Sequence, residues 1–201
     1  MEKRIITIGR ECGSGGHTIG KLVAEKLGVS FYDKEIVELV AAKTKLSPEF
    51  IAANDEYFQN GSLGHIFGYG GRFSSTLHTQ SALRDQMQFV QAELLREIAD
   101  RESCVIVGRC ADYILRERGD VLNVFIHSDM PYKVERSIRE HALEEKDAAS
   151  VLAKRDKARA QHYRFYTDQE WGDMKNYHLS LDSGALGVDG CVALICQAFA
   201  L

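Results

Sequence analysis

The stretch "IITIGRECGSGGHTIGKLVAEKLG", Ile5 to Gly28, constrains the fold more than any other part of the chain. A β-branched apolar run gives way to a glycine-rich turn, and the turn opens into a helical pattern that Gly28 stops. Strand, glycine loop and helix in that order form a phosphate cradle. Glycines let the backbone curve until several N–H groups aim at one anion, where a Cβ would clash. The following helix adds unpaired N–H groups and a partial positive charge. Gly13, Ser14, Gly15, Gly16, His17 and Thr18 are therefore read as the phosphate-binding residues, with the Thr18 hydroxyl placed to ligate Mg2+.

The pattern departs from the regular G-x-x-x-x-G-K-[ST] loop at three points. Arg10 stands at the opening glycine, Gly16 where the lysine belongs and His17 at the hydroxyl position, with Thr18 one residue further on. That lysine ordinarily reaches the β- and γ-phosphates. Arg10, permanently charged and forked for phosphate oxygens, is expected to supply the missing charge; His17 or a lid arginine is the alternative source. A turn that binds nothing is the competing reading. Three glycines followed by a hydroxyl residue, between a strand and a helix, weigh against it.

Four further apolar runs read as strands: Val29 to Tyr32, Cys104 to Val107, Val121 to Ile126 and Tyr177 to Leu181. Helical patterns fall at Lys21 to Leu27, Glu35 to Ala42, and Asp85 to Asp100, where Met87, Val90, Leu94 and Ile98 form one stripe. Asp129 before Pro131 caps a helix reaching His141; a charged helix follows from Glu145 to Tyr163, and an apolar one from Val188 to Phe199. Strands alternating with helices imply an α/β fold, a parallel five-stranded sheet with helices on both faces. Gln59 to Phe73 carries five glycines and no periodicity, and reads either as a surface loop or as a flap over a substrate.

The 201 residues suit one domain with a substantial core. A formal net charge of −4 leaves no broad footprint for nucleic acid or an anionic membrane. No run approaches eighteen apolar residues, so no membrane span is expected. The five cysteines form no C-x-x-C pair, which argues against a disulfide framework or zinc site and for a reducing cytoplasm. Oligomeric state is left open.

Several charged residues stand out. Arg109 directly follows a buried strand, where α/β sheets bind ligands, unless it merely pairs with a helix carboxylate. Arg155 and Arg159, at i and i+4, share a helix face with His162; such a face is either a solvated surface or a closing lid. Asp156 can pair with Arg159 or orient a loop group, and Arg136 and Arg139 are weaker cationic candidates. Arg84 precedes the long amphipathic helix and is a candidate for an acceptor phosphate. Trp171 is expected to pack beneath a lid hinge.

The glycine loop, together with "FYDKEI", "CVIVGRCADYIL", "RDKARAQHY" and "NYHLSLDSGALGVDG", resembles the cytidylate kinase-like family, a branch of the nucleoside monophosphate kinases with a P-loop. The resemblance spans nearly the whole chain and keeps the motif order. It implies transfer of the ATP γ-phosphoryl, with Mg2+, to a nucleoside monophosphate of the CMP or dCMP kind. It also implies a core of residues 1–33, 101–128 and 174–201, an acceptor-side insertion over 34–100 and a lid over 129–173. Arg10 to Thr18 would hold the donor phosphates, and Arg10, Arg155 and Arg159 would act on the transferred group. Asp33, Lys34, Arg84 and Arg109 would face the acceptor. Cys110 stands where the family's acceptor Asp follows the Gly-Arg pair, with Asp112 two residues on, and Leu39 stands where an arginine is usual. Two other functions fit these departures: a nucleotide sensor without turnover, or a kinase for another small metabolite.

Overall fold

The computed structural model describes residues 4–44, 74–141 and 144–201. In chain order the elements are β1 (Ile5–Arg10), α1 (Gly16–Leu27), β2 (Ser30–Tyr32), α2 (Glu35–Thr44), α3 (Ser74–Arg101), β3 (Cys104–Val107), α4 (Ala111–Ile114), β4 (Val121–His127), α5 (Met130–His141), α6 (Glu145–Thr167), β5 (Leu179–Asp182) and α7 (Ser183–Phe199). The five strands are all parallel, in the order β2-β3-β1-β4-β5. Ile5 lies opposite both Cys104 and Val121, so the three central strands start level.

The strands read as unbroken apolar runs because both faces of the sheet are covered. Ile5, Cys104 and Ile106 point to one face, where they pack with Ile36 and Val40 of α2 and Leu94, Leu95 and Ile98 of α3. Ile6, Ile8, Val105, Val107 and Val124 point to the other, against Ile19 and Val23 of α1 and Cys191 and Ile195 of α7. Adjacent residues in one strand thus belong to different cores, as the pleat requires.

The boundaries differ from the sequence reading where local chemistry intervenes. α1 begins at Gly16 rather than Lys21, because the left-handed Gly15 (φ 82°) turns the loop straight into helix. α3 begins at Ser74 and runs 28 residues, well beyond the expected start at Asp85. α6 continues past Tyr163 to Thr167 and stops at Asp168, which takes a left-handed cap (φ 56°). α7 starts at Ser183, where Asp182 accepts the N–H groups of Gly184 and Ala185. Gly187 (φ 70°, ψ 165°) then breaks the helix, and the apolar pattern from Val188 marks only the part after that break. β5 begins at Leu179 rather than Tyr177, whose ring turns in to pack 4.9 Å from Phe125. The Asp129 cap is as expected: its Oδ1 accepts the Tyr132 N–H at 2.9 Å. Gln59 to Phe73 lies outside the described residues.

Candidate functional site

The carboxyl ends of β1, β2 and β3 bring Arg10, Asp33 and Arg109 to one edge of the sheet, where open α/β folds bind ligands. Arg10 closes β1, and its side chain lies across the glycine loop. A Cβ on Gly16 would run into the Arg10 Cβ and lie 2.9 Å from its Cγ; a Cβ on Gly108 would run into the guanidinium, 3.0 Å from Cζ. The Arg10 stem therefore fills the room that any side chain at position 16 would need. The Arg10 Nη2 sits 3.6 Å from Asp33 Oδ1, and the same carboxylate's Oδ2 lies 2.6 Å from His17 Nδ1.

After β3 the backbone is left-handed at three consecutive residues, Gly108 (φ 74°), Arg109 (φ 62°) and Cys110 (φ 52°). Only the first is a glycine, so the turn stores strain to aim Arg109 into the cleft. α6 passes above it. Arg159 Nη1 donates to the Arg10 carbonyl at 3.1 Å, which draws a third guanidinium onto the same spot. The cleft is lined by Arg10, Arg109, Arg159, His162, Asp112, Tyr163, Trp171 and Tyr177. Burial, followed by the charge of Arg159, pushes the Arg10 pKa down to about 9, with Arg109 adding to the effect and Asp33 opposing it. Burial chiefly lowers Arg109 as well. Both stay charged near neutrality, and their mutual repulsion is what a bound anion would relieve.

The opposite wall differs in character. Tyr163 Oη donates to Asp112 Oδ2 at 2.6 Å, and burial raises the carboxyl's pKa despite that bond. His162 is pushed down to about 4 by burial, with Arg109 adding to the effect, so the ring is neutral at pH 7. Trp171 stands edge-on to Phe125 at 5.3 Å, in the segment that follows α6. Burial pushes the Cys110 thiol up to about 12, which makes it an inert wall rather than a nucleophile.

The glycine loop has its own frame. Gly13 (φ 83°) and Gly15 (φ 82°) take conformations that other residues rarely adopt. Ser14 is buried, with its Oγ 2.9 Å from the Glu11 carbonyl; the Ser183 hydroxyl donates to the Ser14 carbonyl at 2.7 Å. Thr18 Oγ1 accepts from Arg136 Nη2 at 3.0 Å. Among the described residues no group of three His, Cys, Asp or Glu side chains forms a metal cage. A Mg2+ carried on phosphate oxygens would meet one hydroxyl at the head of α1, that of Thr18, which already accepts from Arg136.

Of the residues singled out in the sequence, the structure gathers Arg10, His17, Asp33, Arg109 and Arg159. Lys34 is exposed, and Arg155, half-buried, does not line the cleft. Arg84 falls within α3, but its side chain lies outside the described residues. Arg139 is exposed and pairs with Glu135 and Glu140, whereas Arg136, read as equally weak, is buried against the loop. Lys133 and Glu11 went unnoticed. Lys133 is buried, and its Nζ donates to Glu11 Oε2 at 2.9 Å and to Asp156 Oδ2 at 3.2 Å. Lys133, Arg136 and Ser137 form an i, i+3, i+4 stripe, but a polar stripe reads in sequence as a solvated face, and only the structure shows it buried.

No curated protein matches the sequence. Among solved structures, an uncharacterized protein from Eubacterium ventriosum shares 28% identity and a TM-score of 0.75, over 98% of this chain and 99% of that one. A shikimate kinase from Acinetobacter baumannii, solved with shikimate, aligns at 17% identity and TM-score 0.54 over 100% and 94% of the two chains. A gluconokinase from Sinorhizobium meliloti aligns at 16% identity and TM-score 0.55 over 98% and 95%. At these identities the last two show the fold alone, that of P-loop kinases. The model of the cytidylate kinase-like family matches residues 5–185, and the chain belongs to that family.

Proposed function

We propose that the protein is a phosphotransferase that moves the γ-phosphoryl of ATP to a nucleoside monophosphate, with CMP and dCMP the first acceptors to test. The observation that carries this reading is the seating of Arg10 across Gly16, beside Arg109 and Arg159. On this reading Arg10 supplies the charge that lysine gives the regular loop. Family membership supports the reaction class. The division into a core, an acceptor side that includes α2 and α3, and a lid of α5 and α6 belongs to the same proposal.

Phosphoryl transfer asks little covalent chemistry of a protein, so the residues act by position and charge. Loop N–H groups from Gly13 to Thr18 cradle the donor phosphates. Thr18 would hold a Mg2+ that arrives with ATP, which would supply charge neutralisation at the donor phosphates. Asp33 fixes the Arg10 fork, Arg109 holds the acceptor's anion, and Arg159 brings a further charge as α6 closes and excludes water.

A second reading, a kinase for another small metabolite, is favoured by the acceptor wall. Cys110 replaces the family's carboxylate, and Asp112 is already bound by Tyr163. ADP release from ATP·Mg2+ with a panel of nucleoside monophosphates, and with a blank lacking acceptor, separates the two. Robust turnover with one nucleotide sustains the first reading. Tight ATP binding with no nucleotide-dependent turnover transfers the conclusion to the second.

A further inference from the structure

One carboxylate, that of Asp156 on α6, bridges two groups suited to a phosphate. Its Oδ1 accepts the Cys12 backbone N–H of the glycine loop at 2.6 Å, and its Oδ2 accepts from Lys133 Nζ at 3.2 Å. Lys133 lies along the loop itself: a Cβ on Gly13 would come within 3.1 Å of the Lys133 Cβ. One turn on, Arg136 packs against Gly15 and donates to Thr18. The buried face of α5 thus presents two cations to the loop that lost its lysine. Lys133 remains an ammonium: burial disfavours its charge, but Glu11 and Asp156 outweigh that and raise its pKa.

We propose that Lys133 is a catalytic lysine of this site, held in reserve by Asp156, whose carboxylate stands in for a donor phosphate until one binds. The inference rests on the phosphotransferase reading and deepens it. The geometry is an exchange of anions. A carboxylate already joins a loop amide to an ammonium, so a phosphate oxygen at the same place meets both donors. An arriving phosphate repels the Asp156 carboxylate, whose side chain turns aside while α6 stays in place, and Lys133 keeps Glu11 as its one remaining carboxylate. The lysine then acts from α5 instead of from the loop.

A purely structural pin makes the opposite prediction for one variant, and that decides the matter. Asp156→Asn keeps the shape and an acceptor for Cys12 but removes the competing charge. Calorimetric titration with ATP·Mg2+ and with inorganic tripolyphosphate should show this variant binding about three- to tenfold more tightly than wild type, the size of a typical pairwise coupling. Lys133→Met should weaken both about tenfold or more, and Lys133→Arg should recover most of the loss. In the Lys133→Met background, Asp156→Asn should no longer tighten binding. Weaker or unchanged binding by Asp156→Asn overturns the proposal, as does a folded Lys133→Met that binds like wild type. If these effects appear without turnover on any acceptor, the lysine stands and the phosphotransferase reading falls. If wild type binds neither ATP nor tripolyphosphate, both fall.

Discussion

At the scale of single residues, the packing of the Arg10 stem over position 16 explains why that position is a glycine. The stem of one residue fills the space above the other, so the two are a linked pair rather than separate departures. Gly16→Ala should therefore force Arg10 aside. The expected cost is about 1–3 kcal/mol in thermal denaturation, the usual range for overpacking, with loss of phosphate affinity. Wild-type stability and affinity in that variant would show that Arg10 lies elsewhere. His162 offers a test of burial in the cleft. Its folded pKa of about 4 lies below its ordinary value, so the unfolded chain binds more protons between roughly pH 4 and 6.5. Stability should rise with pH through that window and be lost as pH falls, by about 1–3 kcal/mol. His162→Gln should remove that part of the acid sensitivity in urea titrations at several pH values. The comparison with wild type cancels Asp112, whose raised pKa works in the other direction.

At the scale of elements, α5 emerges as the partner of the glycine loop. Asp129→Ala should remove the bond to the Tyr132 N–H and lower stability by about 1 kcal/mol. Because Arg136 and Lys133 ride on the same helix, ATP affinity should fall with it; an unaffected melting curve would place the cap's contribution elsewhere. That cap was legible in the sequence, since Asp129 and Pro131 are local chemistry. So were the five strands, whose β-branched runs record burial on both faces, and the stripe of α3. The α5 face was not. Its contacts join residues about 120 positions apart, and a buried Lys133 looks in sequence like any solvated lysine. Arg10, Asp33, Arg109 and Arg159 were legible because each sits at a strand end or on a helix face that the fold class itself aims at the cleft. Their partners, His17 against Asp33 and Tyr163 against Asp112, depend on tertiary approach and leave no periodicity to read.

At the scale of the whole molecule, the proposed phosphotransferase divides its charge between the sheet and α6. The sheet fixes Arg10 and Arg109, while α6 carries Arg159 and Asp156 across the loop on one helix face. On that proposal the chemistry is assembled only when α6 covers the loop, which would keep ATP from water. With ATP alone, then, ADP release should be slow, and acceptor should accelerate it. The most direct measurement is acceptor-dependent ADP release from ATP·Mg2+ by wild type and by Arg10→Ala, each against its own blank. The account predicts that Arg10→Ala lowers kcat by roughly a hundredfold or more, as removal of a phosphate clamp does. An Arg10→Ala protein that turns over like wild type would contradict it.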